Sequence, residues 1–177
     1  MAIKYKLQDI SKLSSRNIFV DSNVLIHLFW PTAGSMKWEI EYANAFSSLL
    51  KQSNKLHVDF LVIAEVINQM LRTDFKTKKG SSALSFKQFR DSADGQQVLS
   101  DIYLIVENQI LAQFDVTGNS FSKTDILSFL TIDTLDFLDK GILRTCQDNN
   151  FVLLTNDKDF KNADIDILTA NPHILTP

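Results

Sequence analysis

Asn17-Ile-Phe-Val-Asp21 runs directly into Ser22-Asn23-Val24-Leu-Ile-His-Leu-Phe-Trp30. Three consecutive apolar residues bounded by polar ones read as a short strand covered on both faces, because a strand with one wet face would alternate. Val24 to Trp30 then reads as the opening turns of a helix. A carboxylate, Asp21, stands at the junction with apolar residues on either side. The arrangement recurs far downstream, where Phe151-Val-Leu-Leu-Thr155 is followed by Asn156 and Asp157. Two apolar strands each ending near an acid set the terms for the rest of the chain.

Outward from these two points, strands and helices alternate. Met36–Gln52 is helical, with Trp38, Ile40, Ala43, Phe46, Leu49 and Leu50 recurring at threes and fours. Lys55–Phe60 reads as a second strand and Leu61–Arg72 as a long helix. Ser82–Phe89 and Gln97–Asn108 read as helices and Ile110–Val116 as a strand. Ser122-Lys-Thr-Asp125 resembles a capping box that opens another helix, and Thr134–Asn149 forms one more. Ile165–Leu168 reads as the last strand. Such alternation predicts an α/β sandwich around a mainly parallel sheet. In that architecture ligands sit beyond the carboxyl ends of the strands, the edge where Asp21 and Asp157 fall. Pro31–Ser35 is a break, and neither a repeat nor a linker appears. We therefore expect a single domain over 1–177, with 1–16 as an N-terminal extension.

Composition excludes several classes. At 177 residues, 45% apolar and 22% charged, the chain matches an ordinary globular domain. A lone cysteine, Cys146, rules out an internal disulfide. The start lacks the apolar run of a secretory signal and no 18 apolar residues run together, so a cytoplasmic location and no membrane contact are expected. Gly34, Gly80, Gly95, Gly118 and Gly141 are too widely spaced for a dinucleotide or phosphate loop. GxSxG and HExxH are absent, and His27, His57 and His173 are scattered, which disfavours zinc. Asp157-Lys-Asp159 starts like a calcium loop, but Asn162 and Leu168 occupy the positions of its glycine and its bidentate acid. Asn23 takes the place of the second Asp that a dehalogenase-type phosphatase would need. The net charge of −3 gives no bulk attraction to nucleic acid.

Four acids resist a reading as wetted surface. Asp21 and Asp157 follow apolar strands, Glu65 lies inside Leu61-Val-Ile-Ala-Glu-Val-Ile67, and Asp139 has Leu135, Ile142 and Leu143 at helical neighbour positions. A carboxylate in apolar surroundings must be protonated, paired or bound to a cation. Bases are scarce nearby, so a shared divalent cation is the simplest cure, and oxygen-only ligands favour Mg2+ or Mn2+. Taken singly, each has a blander reading: Asp21 as a helix cap, Glu65 and Asp139 as helix-surface residues, Asp157 as a turn residue.

Taken together these residues resemble the PIN domain, the nuclease fold of VapC-like toxins and many RNA-processing enzymes. Phe19-Val-Asp21-Ser-Asn-Val-Leu-Ile26 resembles its first motif, Ala64-Glu65-Val66 its second, Leu138-Asp139-Lys-Gly-Ile142 its third and Phe151-Val-Leu-Leu-Thr155-Asn-Asp157-Lys-Asp-Phe160 its fourth. The resemblance covers about 17–170. Two departures are visible: the third helix lacks the usual run of small residues, and Asp136 competes with Asp139 for the third acid. The resemblance implies a three-layer α/β/α sandwich and a metal-dependent phosphodiesterase acting on RNA. It implies that Asp21, Glu65, Asp139 and Asp157 hold one or two Mg2+ or Mn2+ ions, with Ser22, Asn23, Thr155 and Asp136 orienting them. It also implies a toxin role with a small antitoxin as partner, whose tail would occupy the acidic pocket. Homodimerisation is common in the family, and the Met36–Gln52 helix offers apolar residues for it.

For RNA itself, Arg72 to Arg90 carries Arg72, Lys76, Lys78, Lys79, Lys87 and Arg90 against Asp74 alone. Phe75, Phe86 and Phe89 are interleaved and suit base stacking, although a solvated helix with core phenylalanines fits the same pattern. A nuclease of this fold acting on DNA, and a catalytically idle binding module, remain as rivals.

Overall fold

The computed structural model describes residues 2–30, 36–78 and 84–176. Six short strands form one sheet: β1 (Lys4–Lys6), β2 (Ile18–Val20), β3 (Leu56–Val58), β4 (Asp115–Val116), β5 (Val152–Leu154) and β6 (Ile167–Thr169). Their order is β1-β6-β5-β2-β3-β4 and every adjacent pair is parallel. β2 and β5, at the centre, are wholly buried along their length, which is why their sequences are unbroken apolar runs. The helices α1 (Ser22–Phe29), α2 (Met36–Lys51), α3 (Phe60–Lys78), α4 (Phe86–Asp91), α5 (Ala93–Ile105), α6 (Lys123–Phe129), α7 (Phe137–Asn149) and α8 (Pro172–Leu175) complete the fold. The expected α/β/α arrangement around a parallel sheet is what the chain adopts.

The connectivity places the site. From β2 the chain moves outward through β3 and β4, then returns to the other side of β2 for β5 and β6. This reversal opens a crevice at the carboxyl ends of β2 and β5, the position where such sheets bind ligands. The register Val20↔Leu154 sets Asp21 beside Thr155, and the Asp21 amide donates to the Leu154 carbonyl at 3.1 Å.

Several elements differ from the sequence reading. The Ile110–Val116 strand shrinks to Asp115–Val116, because Val106, Ile110 and Phe114 are buried at a spacing of four and the chain stays helical through a π turn, Val106–Ile110. The Leu61–Arg72 helix extends to Lys78. β1 was passed over, being three residues with two lysines; it pairs with β6, and Lys4 Nζ donates to the carbonyls of Ala163 and Ile165. Capping boxes open α4 at Ser85 and α6 at Ser122. Gly95 opens α5 so close to the end of α4 that a Cβ would meet the Phe89 carbonyl oxygen at 1.9 Å, so no side chain fits there. Among the described residues no helix is long and apolar enough to cross a membrane.

Candidate active site

Asp21 is the hub. It caps α1, its side chain is 4% exposed, and both its oxygens are engaged. Oδ1 accepts from the Ser22 amide at 2.6 Å. Oδ2 accepts from Thr155 Oγ1 at 2.6 Å and from Asn23 Nδ2 at 2.6 Å. Asn23 Nδ2 also reaches Thr155 Oγ1 at 3.2 Å, and its Oδ1 accepts from the Asn156 amide. Thr155 Oγ1 in turn accepts from the Asp157 amide at 2.9 Å. Ser22, Asn23 and Thr155 thus lock together the two strand ends that carry the acids.

Burial first, with the charges of Glu65 and Asp157 adding to it, pushes the Asp21 carboxyl up to about 6 despite these donors. Asp139 is raised to about 7, first by burial, then by Asp136, with Asp21 and Asp157 contributing. No basic side chain is among the causes for either group. The four acids therefore share one electrostatic neighbourhood that lacks a compensating cation. Glu65 is half-buried and its Oε1 accepts from Gln69 Nε2 on the next turn. Among the described residues, no three His, Cys, Asp or Glu side chains come close enough together to hold a metal ion as they stand. The donor chemistry nevertheless suits a hard cation: carboxylate oxygens only, mutually repelling, with one oxygen each of Glu65 and Asp139 lacking a hydrogen bond among the described residues.

Asp136 is exposed and caps α7: its Oδ1 accepts from the Asp139 amide, while Asp139 Oδ2 accepts from the Asp136 amide. A competitor by sequence is thus a reciprocal partner by structure, holding the backbone under Asp139.

The basic stretch divides. Lys79 lies outside the described residues. The Arg72 guanidinium stands over the Phe86 ring at 4.4 Å, Lys78 pairs with Asp74 at 3.1 Å, and Arg90 pairs with Asp91 at 3.0 Å. Lys76 and Lys87 are exposed. The Phe75 ring stands 5.5 Å from Phe86 and 5.4 Å from Phe89; Phe89 is buried, while Phe75 and Phe86 are half-buried and pack against the core.

Sequence reading missed several residues. Asp59, 2% exposed, ends β3 just as Asp21 ends β2, and the repeated Val-Asp pair was the available signal. It accepts from the Val62 amide and from Asn119 Nδ2, and burial, with no acidic neighbour, raises its pKa. It is a cap outside the acid cluster. Tyr42, fully buried on α2, bonds through its hydroxyl to the Thr155 carbonyl and to Asn156 Oδ1, and accepts from the Ala170 amide. Lys140 is buried and donates to the carbonyls of Phe129 and Thr131 while pairing with Asp133.

Two surface features adjoin the acids. A groove of about 480 Å3 is lined by the start of α3, the β4 end and α6–α7, including Phe60, Val116, Phe121 and Phe137. Phe60 is 76% exposed. A polar cleft of about 330 Å3 is lined by Asn23, Asn156, Asp157, Lys158 and Asn171.

A family model described as PIN domain matches residues 18–166. Among solved structures the chain is similar to VapBC2 from Rickettsia felis, crystallised bound to a DNA fragment from their promoter: 15% identity, 86% of this chain, 97% of that chain, TM-score 0.49. It is also similar to PAE2754 from Pyrobaculum aerophilum: 16% identity, 90% of this chain, 88% of that chain, TM-score 0.51. Identities this low speak to the fold alone. No curated protein matches the sequence.

Proposed function

Because the chain belongs to the PIN domain family, we propose that it is a divalent-metal-dependent endoribonuclease that hydrolyses RNA phosphodiester bonds. The observation that carries the reading is the uncompensated carboxylate group at the β2–β5 crevice, with Asp21 and Asp139 held toward neutrality by burial and by their acidic neighbours. Asp21, Glu65, Asp139 and Asp157 would hold the cation, Mg2+ or Mn2+. Bound there, it would lower the pKa of the attacking water and neutralise charge on the phosphate. Thr155 and Asn23 hold Asp21 in one rotamer, and the Asp136–Asp139 cap fixes the first turn of α7. The buried floor under Asp21 excludes bulk solvent, which strengthens every charge interaction at the site.

The test is Mn2+-dependent cleavage of a mixed RNA pool by wild type and by Asp21→Asn, with calorimetric titration of Mn2+ into both. Loss of cleavage and of Mn2+ binding together in a folded variant supports the reading. Equal cleavage by both proteins removes Asp21 from the reaction. Cleavage of a matched DNA pool in place of RNA would move the substrate class, and no cleavage of either would favour the idle-module reading.

A toxin role with a small antitoxin as partner is a second reading, favoured by one observation. Phe60, Val116 and Phe137 are large apolar residues left exposed along the groove between the start of α3 and α6–α7, and exposed apolar surface of this kind suits a protein partner. On α2, the expected dimer face, Ile40 and Leu50 are the exposed large apolar residues among those described. Coexpression with a candidate antitoxin should give a complex whose formation suppresses cleavage and is lost in Phe60→Glu. A complex unaffected by Phe60→Glu would move the partner elsewhere.

A further inference from the structure

We infer that the polar cleft beside Asp157, built from Asn156, Lys158 and Asn171, is a subsite for a polynucleotide phosphate adjacent to the one cleaved, and that the strand leaves the site over Lys158. The inference rests on the nuclease reading and adds the path of the substrate.

The cleft opens directly from the acid cluster, since Asn23 and Asp157 line it. Its backbone is pinned: the Asn156 amide donates to Asn23 Oδ1, and the Asn156 carbonyl accepts from Asn171 Nδ2 at 2.6 Å. Most of the side-chain acceptors are already used. Asn156 Oδ1 takes the Tyr42 hydroxyl, Asn171 Oδ1 takes the His173 amide, and Asp157 Oδ1 takes the Asp159 amide. Beside the second oxygen of Asp157, which the nuclease reading assigns to the cation, what remains to face a ligand is donors. Asn156 Nδ2 has no partner among the described residues, Asn171 Nδ2 keeps one hydrogen, and Lys158 is exposed and forms no ion pair among them. With the Asp157 carboxylate neutralised by the cation it would hold, a cleft that otherwise offers two amide donors and an ammonium matches a phosphate.

The molecule needs such a place. Its net charge of −3 gives no general attraction for a polyanion, and the acids would repel every phosphate except one facing a bound cation. Lys158 also lines the next cleft along the surface, with Asp159, Lys161, Asn162 and His173. Lys158 is thus the side chain the two clefts share. The alternative route over α3 and α4 has Lys76 and Lys87 exposed but starts farther from the acids. Arg72, Lys78 and Arg90 are already engaged, and Arg72 to Lys78 lie about two to four turns beyond Glu65 along α3.

The experiment measures binding of a labelled single-stranded oligoribonucleotide by anisotropy in a chelator, and its cleavage in Mn2+. It uses wild type, Lys158→Glu, Asn171→Asp, and Lys51→Glu as a distant charge control. Asn171→Asp keeps the acceptor for the His173 amide and loses the donor. Lys158→Glu should weaken binding about tenfold and flatten the dependence of log K on log salt by about 0.7, the single-strand value for one phosphate contact. In cleavage KM should rise by a similar factor, while kcat stays within about threefold. Asn171→Asp should weaken binding severalfold, and Lys51→Glu should match wild type.

Wild-type affinity in both Lys158→Glu and Asn171→Asp, while wild type still cleaves, overturns the subsite and leaves the nuclease standing. Loss of binding in Lys76→Glu or Lys87→Glu instead transfers the strand to the α3–α4 side. A wild-type protein that neither binds nor cleaves RNA overturns both readings at once.

Discussion

Replacing Asp21 with asparagine should make the cation-free protein more stable at pH 8. The Asp21 carboxyl titrates near 3.8 as an unfolded reference and at about 6 in the fold. Between those values the folded chain holds a proton that the unfolded chain has released. Stability therefore falls as pH rises from about 4 to about 6 and stays lost above. A shift of about two units corresponds to about 3 kcal/mol. The group is almost fully buried, so solvent screening discounts this little. Asparagine carries no charge to desolvate, but its amide cannot accept from the Ser22 amide and from Asn23 Nδ2 at once. Leaving one donor poorly met costs about 1 kcal/mol. The net gain at pH 8 is then about 2 kcal/mol, or roughly 4–8 °C in Tm for a chain of this size. Near pH 4.5 the wild-type carboxyl is largely neutral and the two proteins should differ by less than about 1 kcal/mol. Urea titrations with chelator at both pH values read this directly. Saturating Mn2+ at pH 8 should reverse the order, because only wild type gains the binding energy, about 2.7 kcal/mol at a hundredfold excess over Kd. An asparagine variant less stable than wild type at pH 8 without cation, or a difference that ignores pH, would refute the argument.

Proton and cation should compete at the same carboxylates. With Asp21 at about 6 and Asp139 at about 7, Mn2+ affinity should rise steeply between pH 5.5 and 7.5 and then level, with protons released into the buffer. Calorimetry in two buffers of different ionisation enthalpy measures that release, and a flat affinity over the range would count against a shared site. Thr155→Val keeps the shape of a buried residue and deletes the 2.6 Å hydrogen bond to Asp21. Cleavage at pH 7 should fall about 10- to 100-fold, recover partly at pH 8.5, and be preserved in Thr155→Ser. Asp59→Ala should lower stability by about 1–2 kcal/mol through loss of the α3 cap and leave Mn2+ affinity unchanged; weakened Mn2+ binding would put Asp59 in the site. Tyr42→Phe should cost about 1 kcal/mol by removing the hydroxyl between α2 and the ends of β5 and β6, read by urea titration.

What the sequence made legible follows from what burial does to composition. β2 and β5 are covered on both faces, so Ile18-Phe-Val20 and Val152-Leu-Leu154 stand out as uninterrupted apolar runs, and the acids after them mark the crevice without any structure. β1 escaped because an edge strand tolerates lysines, and its docking comes from Lys4 reaching carbonyls more than 150 residues away, which no local pattern records. The Ile110–Val116 reading failed because a period of four and a short apolar run look alike over so few residues. Asp136 and Asp139 look alike in sequence, and only geometry shows Asp136 as the cap of α7. Tyr42 and the two asparagines beside Asp157 left no signal, since a buried tyrosine on a helix and asparagines in loops are ordinary until their partners are known. In the basic segment the charge run is conspicuous in sequence, but its local partners are not: Arg72 stacks on Phe86 and Lys78 and Arg90 are paired, whereas Lys76 and Lys87 are exposed.

A sheet whose strands all point one way sends the two ends of a chain out on opposite rims. Here β1 begins at the rim away from the carboxylates, whereas α8 follows the carboxyl end of β6, and His173 and Thr176 already border the cleft shared with Lys158. A purification handle rich in histidine attached after residue 176 would therefore hang beside the acids, bringing foreign imidazoles to capture added manganese. The same handle placed ahead of residue 2 emerges on the far rim, and titrations meant to count the protein's own cation sites call for that placement.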